Sequence, residues 1–181
     1  MDKNIEVISI SGVKRKKAKE YLIDEKSKKL FGFVIIGKIE SALGYSYGNE
    51  VSFICSIYAR TEFEKLEEYP EDREGYNALM QKFKYLYFER ISSKLKDSFQ
   101  RIEEKYHEDL EGIFVGGPNS LKQEFVKNCF LDNLYEDDII DYIDLENEGI
   151  QGFRDLIEKL KFRIFKNGLY SYKTEKSFSL F

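Results

Sequence analysis

The sequence predicts an α/β domain in which a mixed central sheet is flanked by helices, one of them long, basic and amphipathic. Three observations support this fold class. The first third of the chain holds three β-rich apolar runs, at residues 31–36, 39–47 and 51–58. Apolar residues then recur at three- and four-residue steps from about 75 to 106, the period of a helix. Finally, a strand pattern, a Gly-Gly turn and a helix pattern follow one another within residues 112–130, an order typical of α/β proteins.

The three apolar runs predict a meander of three strands. Residues of the third run that alternate at period two are predicted to share one face: Val51, Phe53, Cys55 and Ile57. Residues 5–10 predict a further strand or an extended arm. Residues 60–74 are polar and acidic around Pro70 and predict a loop.

The long helical pattern covers about 30 residues, which corresponds to roughly 45 Å. Its polar side carries six basic residues: Lys82, Lys84, Arg90, Lys94, Lys96 and Arg101. A second basic run lies near the N-terminus and includes Lys14, Arg15, Lys16, Lys17 and Lys19. Both sets suit contacts with a nucleic-acid phosphate backbone, and the alternative is an ordinary solvated surface.

The stretch from 112 to 130 is the most informative in the chain. Residues 112–115 predict a buried strand and Gly116-Gly117 a tight turn. Pro118 and Asn119-Ser120 then predict a helix start, because proline fits the first helical turn and short polar side chains cap free amides. A strand at 139–145 and a helix at 149–163 follow, and residues 165–181 form an aromatic, lysine-rich tail without a clear period.

Charge is unevenly distributed along the 181 residues. The chain as a whole has a net charge of −4, which excludes a general nucleic-acid polycation. Residues 1–30 nevertheless hold nine basic residues against five acidic ones, and residues 131–148 hold eight acidic residues and no basic one. An acidic protein with a basic end can still bind phosphate through that end.

The two cysteines, Cys55 and Cys129, both lie in apolar runs. Two scattered cysteines form neither a disulfide framework nor a zinc site, and they predict a reducing, cytoplasmic location. No apolar stretch reaches the roughly 20 residues that a membrane span needs, and the N-terminus lacks the apolar core of a signal peptide. We therefore expect no membrane partner.

Gly116-Gly117 before a helix start is a candidate phosphate site. The Walker pattern requires a Lys-Ser/Thr pair after its last glycine, and the dinucleotide fingerprint requires three spaced glycines. Neither occurs here, so a structural turn is the favoured interpretation.

His107 is the only histidine, in the sequence Tyr106-His107-Glu108-Asp109 at a predicted helix end. It could serve a Ser-His-Asp or Cys-His arrangement. A positive side chain at that position also suits the helix dipole, and this structural interpretation is favoured.

The acidic stretch contains six residues that could bind a hard cation: Asp137, Asp138, Asp141, Asp144, Glu146 and Glu148. The calcium-loop spacing and its glycine are missing. A solvated acidic surface is favoured, and we expect no metal and no cofactor.

Residues 31 to about 165 resemble the middle domain of the archaeal and eukaryotic class I peptide-chain release factors, a domain shared in outline with Pelota. Residues 32–37 look like its first strand. Lys82-Phe83, Leu86 and Glu89-Arg90 look like part of its long basic helix. The most specific match combines residues 110–118 with Lys122, Phe125, Ile143-Asp144 and residues 149–156, because strand, turn, helix, strand and helix follow in family order.

The resemblance implies a catalytic Gly-Gly-Gln tripeptide in the loop before the long helix, where it positions water at the peptidyl-tRNA ester. Here that region has Gly75, Tyr76 and Asn77 after Arg73. A bulky tyrosine is costly where permissive backbone angles are needed, so we expect no hydrolysis and no enzyme activity. The resemblance places these four residues in a loop that faces the peptidyl transferase centre.

The leading hypothesis is a non-catalytic dormancy factor that binds the ribosome, occupies tRNA or peptidyl-transferase space and inhibits translation. Its partners would be large-subunit rRNA and ribosomal proteins, with no small-molecule substrate. The rRNA contacts are expected at Lys14, Arg15, Lys16, Lys17, Lys19, Lys82, Lys84, Arg90 and Lys94.

Two alternatives stay open. One is a divergent peptidyl-tRNA hydrolase or rescue factor that uses Asn77 or His107. The other is a protein-interaction module in which residues 131–148 bind a basic partner. In each case the expected organisation is a basic arm at 1–30, the domain at 31–165 and a tail at 166–181.

Overall fold

The computed structural model describes residues 28–59, 71–128, 135 and 137–173. Several predicted features lie outside this part of the chain: the strand or arm at 5–10, the basic run at 14–19, most of the loop around Pro70, Cys129 and the last residues of the tail. The division into an arm, a domain and a tail stays a prediction.

The described residues form a six-stranded sheet and three α-helices. The elements in chain order are β1 (Leu30–Ile35), β2 (Glu40–Tyr47), β3 (Glu50–Tyr58), α1 (Arg73–Tyr106), β4 (Gly112–Gly117), α2 (Asn119–Lys127), β5 (Ile139–Asp144), α3 (Gly149–Ile164) and β6 (Ser171–Tyr172). A 3-10 turn, Lys166–Gly168, joins α3 to β6.

The strand order across the sheet is β5-β4-β1-β2-β3-β6. The meander β1-β2-β3 is antiparallel, whereas β4, β5 and β6 add parallel pairs at its two sides. The predicted mixed sheet flanked by helices is confirmed.

Two core layers lie on opposite faces of the sheet. Apolar residues of α1 and α2, such as Phe99 and Phe125, pack on one face, and Phe153 and other residues of α3 pack on the other. β1 is buried on both faces, since Val34 belongs to the first layer and Phe33 to the second. This explains why its sequence is a continuous apolar run rather than an alternating one.

The prediction that four alternating residues of β3 share one face is wrong. Val51 and Phe53 pack in the α3 layer, whereas Cys55 and Ile57 pack in the α1 layer. The cause is a β-bulge: Leu43 of β2 pairs with Cys55 and Gly44 with Phe53, so Ile54 is the extra residue. One extra residue reverses the face of everything that follows it in a strand.

The start of α2 and the tail also differ from the sequence prediction. Pro118 is the N-cap residue of α2 and no side chain caps its amides. The tail residues Ser171 and Tyr172 form β6, which pairs in parallel with Glu50 and Val51 of β3. Among the described residues, no helix combines the length and the apolar character needed to cross a membrane.

Candidate functional site

The helix α1 begins at Arg73, two residues earlier than the sequence pattern predicts. Asp72 is the N-cap, and its Oδ1 accepts a hydrogen bond from the backbone N–H of Gly75 at 2.6 Å. The backbone N–H of Tyr76 donates to the Asp72 carbonyl oxygen at 3.0 Å. An aspartate that accepts from the third amide of a helix is a strong start signal, and the sequence prediction overlooked it.

Arg73, Gly75, Tyr76 and Asn77 therefore lie in the first helical turns of α1 and not in a loop, which corrects the predicted conformation of this set. That the set faces the peptidyl transferase centre stays a prediction. Arg73, Tyr76 and Asn77 are exposed, and the Tyr76 side chain is 43% accessible. No side chain in residues 73–82 is buried, and the part of α1 that packs on the sheet starts at Phe83.

The six basic residues that the sequence pattern places on the polar side of α1 do not share one face. Residues two apart on a helix point about 200° apart, so Lys82 and Lys84 diverge. Lys82 is exposed, whereas Lys84 forms a 2.6 Å ion pair with Glu124 of α2. Burial acts to raise the pKa of Glu124, but hydrogen bonds from Lys84 and Gln81 outweigh it and leave that pKa lowered.

Arg90 and Lys94 lie against β3. The Arg90 guanidinium donates to the carbonyl oxygen of Tyr58 and lies 5.7 Å from the centroid of the Tyr87 ring. Lys94 is half-buried near Cys55; burial raises the pKa of that thiol and the lysine charge opposes the rise. Of the four α1 residues predicted to contact rRNA, Lys82 alone is exposed.

A buried hydrogen-bond network fixes α1 against the turn between β1 and β2. The Tyr87 hydroxyl and Ser41 Oγ are 2.7 Å apart, and Tyr87 donates to the Ile57 carbonyl oxygen at 3.1 Å. Ser41 Oγ also accepts from the backbone N–H of Gly37 at 3.0 Å. Burial raises the pKa of Tyr87 to about 12, so the phenol stays neutral.

The turn after β4 is filled by protein groups. Gly117 has φ +133°, and a β-carbon there would lie 2.2 Å from the Ile36 carbonyl oxygen. Lys122 is only 1% exposed; its Nζ donates to the Gly117 carbonyl oxygen at 3.2 Å and pairs with Asp144. These contacts support a structural turn, the favoured interpretation of Gly116-Gly117.

His107 and Asn77 lie at opposite ends of α1. His107 is the C-cap and has the left-handed φ of 55°. Thirty residues of helix separate it from Asn77, roughly 45 Å at 1.5 Å per residue. The two side chains therefore cannot act in one catalytic site.

Several acidic residues of the 131–148 stretch have partners within the domain. Asp141 pairs with Arg163 at 2.8 Å, and Glu148 accepts from the backbone N–H of Ile39 at 2.9 Å. In the part of the chain that the structure describes, no three His, Cys, Asp or Glu residues are placed to hold a metal ion.

Comparison with known proteins identifies the family. The family model described as eRF1 domain 2 matches residues 64–166, more than half of the chain. The chain belongs to this family. The match covers α1, the β4 turn, Lys122 and α3, and it confirms the resemblance to the release-factor middle domain.

Two curated relatives of this chain are peptide chain release factors. Peptide chain release factor subunit 1 of Methanobrevibacter smithii is 26% identical over 140 residues, which cover 77% of this chain and 32% of that protein. The same factor from Thermococcus kodakarensis is 25% identical over 132 residues, 73% of this chain and 31% of that protein. The chain thus spans about a third of the length of these relatives.

A solved structure shows the same fold. The crystal structure of the archaeal translation termination factor aRF1 aligns with a TM-score of 0.53 and 19% identity, over 77% of this chain and 36% of that one. The chain is therefore a release-factor-related domain with a middle-domain fold.

Proposed function

We propose that this chain binds the ribosome, occupies tRNA or peptidyl-transferase space without hydrolysing peptidyl-tRNA, and so inhibits translation as a dormancy factor would. Family membership supports the ribosome as the partner. The proposed partners are large-subunit rRNA and ribosomal proteins, in the cytoplasm and without a cofactor.

The observation that carries this proposal is the start of α1. Nowhere does the chain contain Gly-Gly-Gln, and its one adjacent glycine pair, Gly116-Gly117, precedes Pro118 in the β4 turn. Gly75, Tyr76 and Asn77 are wound into a helix that Asp72 caps. A helical backbone directs their amides along the helix axis, which does not suit a loop that positions a water molecule.

The solvent exposure of the basic side chains indicates which of them are the stronger candidates for rRNA contacts. Lys82 is exposed on the same end of α1 as Arg73 and Tyr76 and is the first candidate there. Lys84, Arg90 and Lys94 are half-buried against the domain and are weaker candidates. The basic run at residues 14–19 is proposed on its charge alone.

Hydrolysis of peptidyl-tRNA is the second candidate, because the curated relatives are release factors. Asn77 is its candidate residue, since it is exposed beside Tyr76. His107, at the far end of α1, cannot assist it.

The test combines binding and hydrolysis on purified ribosomes. Wild-type protein is expected to sediment with ribosomes at low salt and to dissociate at high salt, to slow translation, and to release no peptide from peptidyl-tRNA. If the protein is absent from the ribosomal fractions at low salt, the proposal is wrong. Peptide release that an Asn77→Ala variant loses would favour hydrolysis instead.

A further inference from the structure

Residues 158–173 differ in charge from the rest of the chain. They contain one acidic residue, Glu158, and five basic ones: Lys159, Lys161, Arg163, Lys166 and Lys173. The whole chain has a net charge of −4, so positive charge is concentrated in this stretch of the sequence, although Asp141 pairs with Arg163 and Glu50 lies beside Lys173. We call residues 158–173 the C-terminal basic segment; it covers the end of α3, the 3-10 turn and β6.

The same segment exposes large apolar side chains. Phe162 is 78% accessible, the highest value among the exposed large apolar residues that the structure describes, and Leu169 is 68% accessible. Tyr172 is also exposed. Exposed aromatic rings among basic residues are typical of surfaces that bind single-stranded nucleic acid.

The Phe162 ring contacts the turn that follows α3 although it is not buried. It packs on Gly168, where an added β-carbon would lie 2.6 Å from the ring atom Cε1. Gly168 has φ +68°, which favours glycine, so the turn is shaped to accept this ring. The Lys161 ammonium lies 5.4 Å from the ring centroid.

Interactions within the segment make it a defined surface. Glu158 pairs with Lys161 at 2.7 Å and accepts a hydrogen bond from the Tyr170 hydroxyl. Tyr170 stacks on Phe165 with centroids 5.1 Å apart and meets Tyr172 edge-on at 5.5 Å. A pre-ordered aromatic group loses little conformational entropy when a ligand stacks on it.

We propose that the C-terminal basic segment is an RNA-binding surface, on which an unpaired base stacks on Phe162 while Lys161 and Lys166 contact the flanking phosphates. An acidic protein partner would use the same charges, and the test below distinguishes it from RNA. The surface deepens the proposed function, on which it rests for its biological setting, and it lies apart from Tyr76 at the start of α1.

The test is fluorescence anisotropy with a labelled 12-nucleotide oligouridine at several salt concentrations. Wild-type protein is expected to bind, with an affinity that falls as salt rises. Phe162→Ala should weaken binding about fivefold or more at fixed salt and leave the salt dependence unchanged. Lys161→Gln and Lys166→Gln should each reduce the slope of log affinity against log salt by about 0.7.

Matched controls lie elsewhere on the domain. Tyr58→Ala removes another exposed aromatic ring, and Lys127→Gln removes an exposed charge of α2; both should bind the RNA as wild type does. Gly168→Ala keeps the Phe162 ring but displaces it, and is expected to weaken binding as Phe162→Ala does. Thermal unfolding of each variant verifies that it folds.

The outcomes separate this inference from the proposed function. No RNA binding by wild type, or equal binding by Phe162→Ala, overturns the inference even if the protein sediments with ribosomes. Competition by polyglutamate that is insensitive to Phe162→Ala would indicate an acidic protein partner and overturn it as well. Phe162-dependent RNA binding without ribosome association would support the surface and reject the proposed function.

Discussion

The Asp72 carboxylate and the backbone N–H of Gly75 are joined by a 2.6 Å hydrogen bond that begins α1. The bond falls where the release-factor resemblance predicts a catalytic loop. Because α1 buries no side chain before Phe83, this cap is a main support for the helical conformation of residues 73–82. The same helical turns present Tyr76 and Asn77 to solvent.

Asp72→Ala should loosen this end of α1. Losing a side-chain cap costs about 1 kcal/mol of helix stability, which corresponds to roughly fivefold faster amide exchange at residues 73–76. The urea midpoint of the domain should barely move, since these residues contribute nothing to the core. Hydrogen-exchange mass spectrometry checks both, with Glu71→Ala as control. A large loss of global stability would contradict this account.

Tyr87→Phe should reveal a pH-dependent contribution to stability. The pKa of Tyr87 is raised to about 12 in the folded protein, against 10.0 for the ordinary phenol. Folding therefore favours the neutral phenol. The associated stability is fully present below pH 10 and is lost as pH rises from 10 towards 12.

The variant loses the hydrogen bonds to Ser41 and Ile57, which should cost about 1–2 kcal/mol at pH 7. That difference from wild type should shrink above pH 10, where the wild type alone is penalised for keeping Tyr87 neutral. Urea unfolding at pH 7, 9 and 11 measures it, and the exposed Tyr58→Phe is the control. If the stability difference between wild type and Tyr87→Phe is the same at pH 7 and pH 11, the raised pKa of Tyr87 does not contribute to stability.

The sequence predicted those elements that local patterns determine. β1 is a continuous apolar run because it is buried on both faces, and α1 has an apolar period over most of its length. The glycine pair marks the β4 turn. The missing Gly-Gly-Gln is likewise visible, because it depends on residue identity alone.

One error was local, because the Asp72 cap lies only three residues from its partner Gly75 and was overlooked. The other errors concern contacts between residues distant in the chain. The bulge at Ile54 arises from pairing with Leu43 and Gly44, and β6 arises from pairing with β3. Lys84 appeared to belong to a basic face until the fold placed Glu124 beside it, 40 positions later. Periodicity within one segment contains no information about such partners.

Gly117→Ala and Gly116→Ala form a matched pair that tests the β4 turn. A β-carbon at 117 would meet the Ile36 carbonyl oxygen at 2.2 Å, on a backbone with φ +133°. At 116 it would meet Leu145 Cδ1 at 2.5 Å, the movable end of a side chain. We expect losses of about 3 kcal/mol or more for Gly117→Ala and about 1 kcal/mol for Gly116→Ala.

Urea unfolding of the two glycine variants provides the comparison. Because each adds one methyl group in adjacent positions, the difference between them isolates the backbone clash and the unusual φ. Equal losses would mean that the turn relaxes easily and that Gly117 is not required by its geometry.

Lys122→Met tests whether a buried lysine stabilises the turn through its charge or through its packing. The lysine side chain is buried, but the side chain of its partner Asp144 is 76% exposed. Removing the lysine charge therefore leaves no buried carboxylate behind, because water solvates Asp144. Methionine keeps most of the volume. It loses the hydrogen bonds to the Gly117 carbonyl oxygen and to Asn119 Oδ1, together with the solvated ion pair to Asp144.

We expect Lys122→Met to lower the free energy of unfolding by about 1–2 kcal/mol and Asp144→Asn to lower it by less than about 1 kcal/mol. Urea unfolding at low and high salt distinguishes the two contributions. A screened ion pair would lose its effect in high salt, whereas the buried bond to Gly117 would not. If Asp144→Asn proves as damaging as Lys122→Met, the ion pair rather than the carbonyl contact holds the turn.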